Sequence, residues 1–285
     1  MVHTSNKYSI HKTRLSNGSN IAYIDEGKGD TTLLFIHGLA TYSQTWALNI
    51  AYLKDYYRCI AIDLPGNGHS DRGDFVYGIN FFSGCIYDFM QQMKLKNVVL
   101  VGHSMGGQAA LNLAINHPTA CTKLVLCAPA GFETYTSMER TMFKSGIQFI
   151  DFFSTDENNL RSTIQNSFYN YPQKMEGMVK ELVALMKTQP STRYKKMIEA
   201  CIHSMMDEPV YDGLKTIQQP VLVLFGEQDA LIPNKLMHPV STKALAEKAI
   251  KTMPDATLKM IPKCGHFLQL EQPDVTNQYI REFVN

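Results

Sequence analysis

The chain of 285 residues is predicted to fold as an α/β protein with a mostly parallel, eight-stranded sheet that carries helices on both faces. Two observations predict this class. Short apolar runs recur along the chain, and segments with apolar residues at helical spacing lie between them. Strands that alternate with helices indicate parallel pairing in a sheet covered on both sides. With 45% hydrophobic residues, the chain can build a large core.

The predicted strands begin with an antiparallel hairpin, because two alternating segments flank a short Ser-Asn-Gly-Ser turn. Residues 32–36 form a continuous apolar run, which is typical of a strand buried on both faces, and residues 58–62 are predicted as another buried strand. In chain order the strands cover residues 8–15, 20–25, 32–36, 58–62, 98–101, 123–127, 219–225 and 256–261. Helices are predicted over residues 45–53, 81–93, 108–115, 242–251 and 274–283.

One long segment, residues 131–213, contains no apolar run typical of a buried strand. A structureless connection of this length is rare in a compact domain, so we predict a helical insertion. Helical patterns cover residues 136–153, 175–187 and 193–206. The segment holds Met138, Met142, Met175, Met178, Met186, Met197, Met205 and Met206, together with Phe132, Phe143, Phe149, Phe152, Phe153 and Phe168. Flexible methionines suit an adaptable apolar pocket, but they equally suit the core of the insertion itself, and both interpretations stay open.

The sequence Gly-His-Ser-Met-Gly-Gly at residues 102–107 lies between a predicted strand and a predicted helix, with Ser104 at the tip of the turn. Strand and helix must approach closely at such a turn, which explains the glycines at positions 102 and 106. The chain offers an internal comparison, since Gly-His-Ser recurs at residues 68–70. There no strand leads into the turn and position 72 is arginine, so Ser70 is predicted to be structural.

A serine hydroxyl is a weak nucleophile near neutral pH and needs a base that a third group orients. Asp229 and His266 are predicted for these roles, because each follows a parallel strand, as Ser104 does. The carboxyl ends of parallel strands meet at one edge of the sheet, where sites of such folds form. Glu227 is a competing acid, but it lies too close to the end of its strand to reach a histidine as easily.

An oxyanion hole is predicted from the turn at His37, Gly38 and Leu39, directly after the strand at residues 32–36. Gly38 lets the backbone turn so that the Leu39 N–H points into the site. The N–H of Met105, the residue after the serine, would supply the second donor. His37 is expected to brace this turn through hydrogen bonds rather than to transfer protons.

Other polar residues near these segments are interpreted as ordinary. His103 is expected to pack away from the serine hydroxyl, and His69 to brace its surroundings as His37 does. Asp63 is expected to be structural, and Cys264 to be a half-buried, inert thiol. Five histidines have no convergent partner in the sequence pattern and are expected to have no special role, namely His3, His11, His117, His203 and His238.

The composition of the chain also indicates which binding partners and which cellular location to expect. A formal net charge of +1 gives no reason to expect a nucleic-acid partner, and no apolar run approaches the length of a membrane span. Residues 1–10 show no apolar core of a signal peptide, and the six cysteines show no C-x-x-C spacing, so we expect free thiols and a cytoplasmic location. No histidine pair has metal spacing, so no metal is expected. A monomer or homodimer is expected.

These motifs together resemble the nucleophile elbow and triad of the α/β-hydrolases that carry a helical cap. That group includes carboxylesterases, C–C hydrolases of meta-cleavage products, cofactor-free haloperoxidases and perhydrolases, and plant hormone receptors. The similarity runs from about residue 20 to the C-terminus and is carried by residues 37–38, 63–70, 102–107, 226–229 and 265–266. It implies a core domain from residues 1–130 and 214–285, with residues 131–213 as a cap inserted after strand 6.

The resemblance implies a serine hydrolase that cleaves esters or related acyl compounds of small to medium apolar substrates, without a cofactor. Three alternatives stay open: C–C bond hydrolysis, perhydrolase or haloperoxidase activity, and a ligand receptor that retains the triad. C–C hydrolases often have asparagine where this chain has His103. Epoxide hydrolases and haloalkane dehalogenases are less favoured, because they carry aspartate where this chain has Ser104.

Overall fold

The computed structural model describes residues 8–147 and 157–285. Its strands are β1 His11–Arg14, β2 Asn20–Glu26, β3 Thr32–Ile36, β4 Arg58–Ile62, β5 Val98–His103, β6 Lys123–Cys127, β7 Val221–Gly226 and β8 Ala256–Ile261. They form one sheet in the order β1-β2-β4-β3-β5-β6-β7-β8. All neighbouring strands from β4 to β8 in this order pair in parallel. The pairings of β1 with β2 and of β2 with β4 are antiparallel. The predicted eight-stranded, mostly parallel sheet is confirmed.

The burial of the strands follows their place in the sheet. Every residue of β3, β5 and β7 is buried, as expected of inner strands with both faces covered. The edge strand β8 instead alternates between partly buried and exposed residues, apart from its last residue. The inner strands β3, β5 and β7 lead into the loops that carry His37, Ser104 and Asp229, whereas the loop that carries His266 follows the edge strand β8.

The helices outside the insertion cover the sheet. They are α1 Ala47–Leu53, α2 Ile79–Gln92, α3 Met105–Asn116, α8 Thr242–Ile250, α9 Leu268–Glu271 and α10 Pro273–Val284. α2 packs against α3, and α1 packs against α10. The short α9 has no counterpart among the predicted helices, because four residues are too few to show a helical period. Among the described residues, no helix combines the length and the apolar character needed to span a membrane.

The insertion between β6 and β7 is mainly helical over its described residues, with turns and irregular segments between the helices. It contains α4 Ser137–Ile147, α5 Glu157–Asn166, α6 Glu176–Met186 and α7 Ser191–Asp207. Three of these match predicted helices, although residues 148–153 of the first prediction lie outside the described residues. α5 was missed because its sequence is polar, with only Leu160 and Ile164 as large apolar residues. These two side chains are buried and lie one turn apart, which is the face that α5 turns inward.

The methionines of the insertion divide between packing, cavity and surface. Met175, Met178, Met186 and Met197 are buried. Met205 and Met206 line the cavity described below, whereas Met138 and Met142 are exposed. Phe143 also lines that cavity, and Phe132 and Phe168 are buried, while Phe149, Phe152 and Phe153 lie outside the described residues. Both interpretations of the methionine-rich segment therefore hold, each for different residues.

All six cysteines are free and buried. Cys59 and Cys127 lie on β4 and β6, as predicted. Burial raises the pKa of each of these two thiols, which keeps them protonated and unreactive. The prediction for Cys264 needs a correction, because this residue is fully buried rather than half-buried. Its backbone lies so close to Gly226 that a side chain at position 226 would collide with the Cys264 carbonyl oxygen.

Candidate active site

Ser104 occupies the turn between β5 and α3 in a strained backbone conformation. Its φ of 53° and ψ of −121° lie in a region that non-glycine residues rarely adopt. The surrounding backbone holds it there: the Ser104 N–H donates to the Cys127 carbonyl at 3.0 Å, and the Ser104 carbonyl accepts from Gly107 and Ala130. The Ser104 side chain lines a cavity at the edge of the sheet.

The two glycines that flank Ser104 allow strand and helix to approach each other. A Cβ atom on Gly102 would lie 2.6 Å from the Gly106 carbonyl oxygen. A Cβ atom on Gly106 would lie 2.4 Å from the His37 carbonyl oxygen and 2.6 Å from that of Ile36. All three neighbouring atoms belong to the backbone and cannot move aside, so the steric explanation for these glycines is confirmed.

A Gly106→Ala substitution is therefore expected to destabilise the fold by about 3 kcal/mol or more, the upper range for overpacking in a core. Gly84 on α2 supplies the matched control, because a Cβ atom there meets nothing within 4 Å. Gly84→Ala should stabilise the protein by about 1 kcal/mol through helix propensity. Urea denaturation followed by circular dichroism checks both, and equal midpoints for the two variants would contradict the steric argument.

Asp229 lies in the loop that follows β7, and its carboxylate is held by that loop. Its Oδ1 accepts hydrogen bonds from the Leu231 N–H at 2.8 Å and from the Ile232 N–H at 3.0 Å. This leaves Oδ2 free to accept from His266. Asp229 is buried, whereas Glu227 is exposed. The structure thus places Asp229, and not Glu227, against the histidine.

His266 follows β8 and faces Asp229. Its Nδ1 lies 2.9 Å from Asp229 Oδ2. Since an ionised carboxylate only accepts, Nδ1 carries the proton and Nε2 is left as the basic nitrogen. His266 and Ser104 line the same cavity, although no hydrogen bond joins their side chains in this structure. Bonds between such groups often shorten only when a substrate is bound.

The turn at residues 37–39 lies beside Ser104, as predicted. The Leu64 N–H donates to His37 Nε2 at 2.9 Å, so Nδ1 carries the proton and donates to the Gly38 carbonyl at 2.8 Å. His37 therefore braces the turn, and burial lowers its pKa, which keeps the ring neutral. Within the described residues, neither the Leu39 N–H nor the Met105 N–H donates to a protein group. Both donors remain available to a ligand.

His103, the residue before Ser104, is buried and contacts His266 rather than only packing. Its Nε2 lies 3.0 Å from the His266 carbonyl oxygen, to which it donates, and the two rings lie 4.8 Å apart. Burial lowers the pKa of His103 well below its usual range, and the neighbouring His266 acts in the same direction. His103 thus stays neutral and links the turn at Ser104 to the loop that carries His266.

The free energy of unfolding is expected to fall as the pH drops from 7 to 5. His37 and His103 have lowered pKa values in the folded protein, whereas an unfolded histidine titrates near 6.5. Below about pH 6.5 the unfolded chain therefore binds protons that the folded chain does not, and stability is lost. Each histidine contributes a slope of up to about 1.4 kcal/mol per pH unit.

Urea denaturation at pH 7, 6 and 5 measures that slope. His103→Gln removes one of the two buried imidazoles, so its slope should be smaller by about 1.4 kcal/mol per pH unit. An unchanged slope in this variant would show that His103 does not carry the effect.

In the second Gly-His-Ser sequence, at residues 68–70, the serine has a structural role, as predicted. Ser70 Oγ donates to the Asp63 carbonyl at 2.5 Å and accepts from the Ala22 N–H at 2.8 Å. Asp63 is buried and accepts from the Ser43 and His69 N–H groups. The prediction for the His69 side chain is wrong: its Nε2 lies 4.0 Å from a Glu181 carboxylate oxygen on α6 instead of bracing a neighbouring turn.

The prediction that His238 has no partner is also wrong. Its Nδ1 lies 2.7 Å from Glu133 Oε1, and its Nε2 lies 3.5 Å from Glu139 Oε1. Glu133 also accepts from the Asn234 N–H at 2.8 Å. These contacts tie the loop after β7 to the segment after β6. No sequence signal marks this pair, because both residues lie in irregular connections far apart in the chain.

The cavity beside Ser104 has a volume of about 430 Å³ and is lined mainly by apolar side chains. The insertion contributes much of its wall through Phe143, Leu160, Ile164, Ile202, Met205 and Met206. Among the described lining residues, Glu133 is the only carboxylate and Lys235 the only lysine or arginine. A volume of this size is typical of small-molecule sites. Among residues 8–147 and 157–285, no group of three or more His, Cys, Asp and Glu side chains is placed to hold a metal ion.

Comparison with known proteins gives the family. The family model of the α/β hydrolase fold matches residues 31–273, and the chain therefore belongs to the α/β-hydrolase fold family. An uncharacterized hydrolase of Bacillus subtilis (strain 168), YugF, is 25% identical, with 94% of this chain and 95% of that protein aligned. A 2-hydroxy-6-oxononadienedioate/2-hydroxy-6-oxononatrienedioate hydrolase of Comamonas testosteroni is 26% identical over 99% of this chain and 96% of its own length. The esterase EaEST from Exiguobacterium antarcticum has the same fold, with a TM-score of 0.80 and 22% identity over 96% of this chain and 98% of that one.

Proposed function

We propose that the protein is a serine hydrolase that cleaves esters of small to medium apolar substrates through Ser104, His266 and Asp229. One observation carries the proposal: the strained Ser104 and His266 line one cavity, and Asp229, buried behind His266, holds the His266 ring by a hydrogen bond. A nucleophile, a base and a group that orients the base are the parts that acyl transfer requires.

The reaction begins when His266 Nε2 takes the proton of Ser104 Oγ as this oxygen attacks the ester carbonyl carbon. The negative charge that develops on the carbonyl oxygen is stabilised by the N–H groups of Leu39 and Met105. Asp229 holds the His266 ring in the required tautomer and stabilises the imidazolium. His266 then gives the proton to the departing alcohol, which leaves an ester between Ser104 and the acyl group.

Hydrolysis of this acyl-enzyme completes the cycle. His266 Nε2 removes a proton from water, whose oxygen attacks the acyl carbon while the Leu39 and Met105 N–H groups again stabilise the oxyanion. The bond to Ser104 Oγ breaks, His266 returns the proton to this oxygen, and the carboxylic acid leaves. No cofactor and no metal take part in these steps.

The walls of the cavity support an apolar substrate. Binding of an apolar acyl or alcohol group against these apolar side chains is favourable, because it removes apolar surface from water. A charged group would lose its hydration there, which is unfavourable. Because α5 and α7 form part of the wall, we propose that residues 131–213 act as a cap over Ser104. The core domain then consists of residues 1–130 and 214–285.

Incubation with a fluorophosphonate probe tests the proposal, because this reagent phosphonylates serines that an adjacent base activates. We expect a single adduct on Ser104, located by peptide mass spectrometry, and competition by p-nitrophenyl butyrate. Folded protein that stays unlabelled at Ser104 would overturn the proposal.

C–C bond hydrolysis is the second candidate, favoured by the relative from Comamonas testosteroni, which aligns with almost the whole chain. A dicarboxylate substrate would need more positive charge than Lys235 alone provides among the described lining residues. We therefore rank ester hydrolysis first. Parallel assays with p-nitrophenyl esters and with a vinylogous 1,5-diketone substrate discriminate the two.

A further inference from the structure

The backbone of His266 is held by the inserted segment as well as by its own loop. The His266 N–H donates to the Ser167 carbonyl at 2.9 Å, and Ser167 directly follows α5. On the other side, the His266 carbonyl accepts from His103, as described above. The position of the ring that faces Asp229 therefore depends on a residue of the insertion.

Residues 167–170, here called the strap, continue this contact. Phe168 stacks on Phe267, with ring centroids 5.1 Å apart and an angle of 21° between the planes. The approach of the strap to the His266 loop is so close that a Cβ atom on Gly265 would lie 2.6 Å from the Tyr169 nitrogen. The strap and the His266 loop are thus packed as one unit.

One carboxylate joins these two segments. Glu271, at the end of α9, accepts from the Gly265 N–H at 2.8 Å with Oε2. It also accepts from the Tyr169 N–H at 3.2 Å with Oε2 and from the Asn170 N–H at 2.6 Å with Oε1. Three backbone donors thus meet one side chain, and hydrogen bonds to a charged acceptor are stronger than neutral ones.

We propose that Glu271 is a positioning residue that couples the inserted helices to His266. The proposal rests on the proposed function, because it assigns Glu271 an effect on the base of that reaction. Glu271 touches neither the cavity nor Ser104, and acts by fixing the peptide at Gly265, next to His266. Leu160 and Ile164 of α5 form part of the cavity wall, and α5 leads directly into the strap. A substrate that contacts α5 can therefore shift the strap and, through Glu271, the position of His266.

Glu271→Gln tests the coupling with little change in shape. The amide keeps one acceptor oxygen and turns an NH₂ group toward backbone donors, so at least one of the three hydrogen bonds is lost. We expect kcat on p-nitrophenyl butyrate to fall by about 10- to 100-fold with KM within about threefold, because small displacements of reacting groups have effects of this size. Glu271→Asp keeps the charge on a shorter side chain and should recover part of the loss. If the glutamine variant does not fold, Glu271→Asp can be used in its place to test the coupling.

Hydrogen exchange at the amides of Gly265, Tyr169 and Asn170 is the second readout, and it should become faster in Glu271→Gln. The control is Glu282→Gln, which removes a carboxylate from the exposed side of α10 and should change neither readout. A kcat within twofold of the original at a temperature where the variant is folded, or unchanged exchange at these amides, would overturn the proposal. If the unmodified protein hydrolyses no ester and Ser104 takes no fluorophosphonate, the proposed function fails, and the exchange readout alone decides whether Glu271 joins strap and loop.

Discussion

Replacing Ser104 with alanine is expected to abolish measurable turnover of p-nitrophenyl esters, with kcat falling by about 10⁴-fold or more. The variant lacks the oxygen that attacks the carbonyl, so water would have to react without an acyl-enzyme. Alanine fits the space of serine, and the backbone contacts of residue 104 do not involve its side chain. Initial rates with p-nitrophenyl butyrate, together with circular dichroism of the variant, check this expectation.

Ser70→Ala is the matched control, because it removes the hydroxyl from the other Gly-His-Ser sequence. Its Oγ makes two hydrogen bonds in the core, so the variant should lose about 1–3 kcal/mol of stability. Below its melting temperature it should retain turnover and label with fluorophosphonate at Ser104. Comparable loss of turnover in both folded variants would contradict the role assigned to Ser104.

Asp229→Asn is expected to lower kcat by about 10⁴-fold, the size of effect known for loss of the acid from such a triad. The asparagine amide can present an N–H to His266 Nδ1, which would favour the tautomer with the proton on Nε2. That nitrogen would then be unable to take the proton of Ser104. Because the change is nearly isosteric, the fold should persist, and kcat measured at saturating p-nitrophenyl butyrate reports the chemical step.

The control for Asp229 is Glu227→Gln, which neutralises the neighbouring acid of the same loop. Glu227 is exposed, and Asp229 is buried against His266, so kcat of the control should stay within about twofold. A large loss of kcat in Glu227→Gln with little loss in Asp229→Asn would show that Glu227, and not Asp229, is the acid that orients His266. The two variants thus discriminate between acids only two positions apart.

Much of the fold followed from the sequence because its signals are local. The apolar runs at β3, β4 and β6 coincide with the observed strands, since a strand buried on both faces is largely apolar. β8 also matches its predicted bounds, although it lies at the edge of the sheet and mixes polar with apolar residues. The turn at Ser104 was equally predictable, because its two glycines answer a steric demand within a few residues. The pattern failed at α5, a polar helix whose few apolar residues are too sparse to show a period.

The candidate site was predictable where a residue follows a parallel strand, and less so elsewhere. Ser104, Asp229 and His266 all follow strands, and parallel strands bring such residues to one edge. The partners of His238 and Glu271 lie in loops and at helix ends, for which the sequence carries no comparable rule. His103 shows the same limit: its burial was expected, but its hydrogen bond to the His266 carbonyl depends on a contact across 163 positions of the chain.

By itself the sequence determined the class of fold and the residues able to form the site, since periodicity, glycine sterics and strand ends act over short distances along the chain. Tertiary structure decided which acid faces His266, how the insertion lines the cavity, and how Glu271 joins the strap to the His266 loop. These features depend on distances between residues that are remote in sequence, and those distances are set only when the helices pack on the sheet.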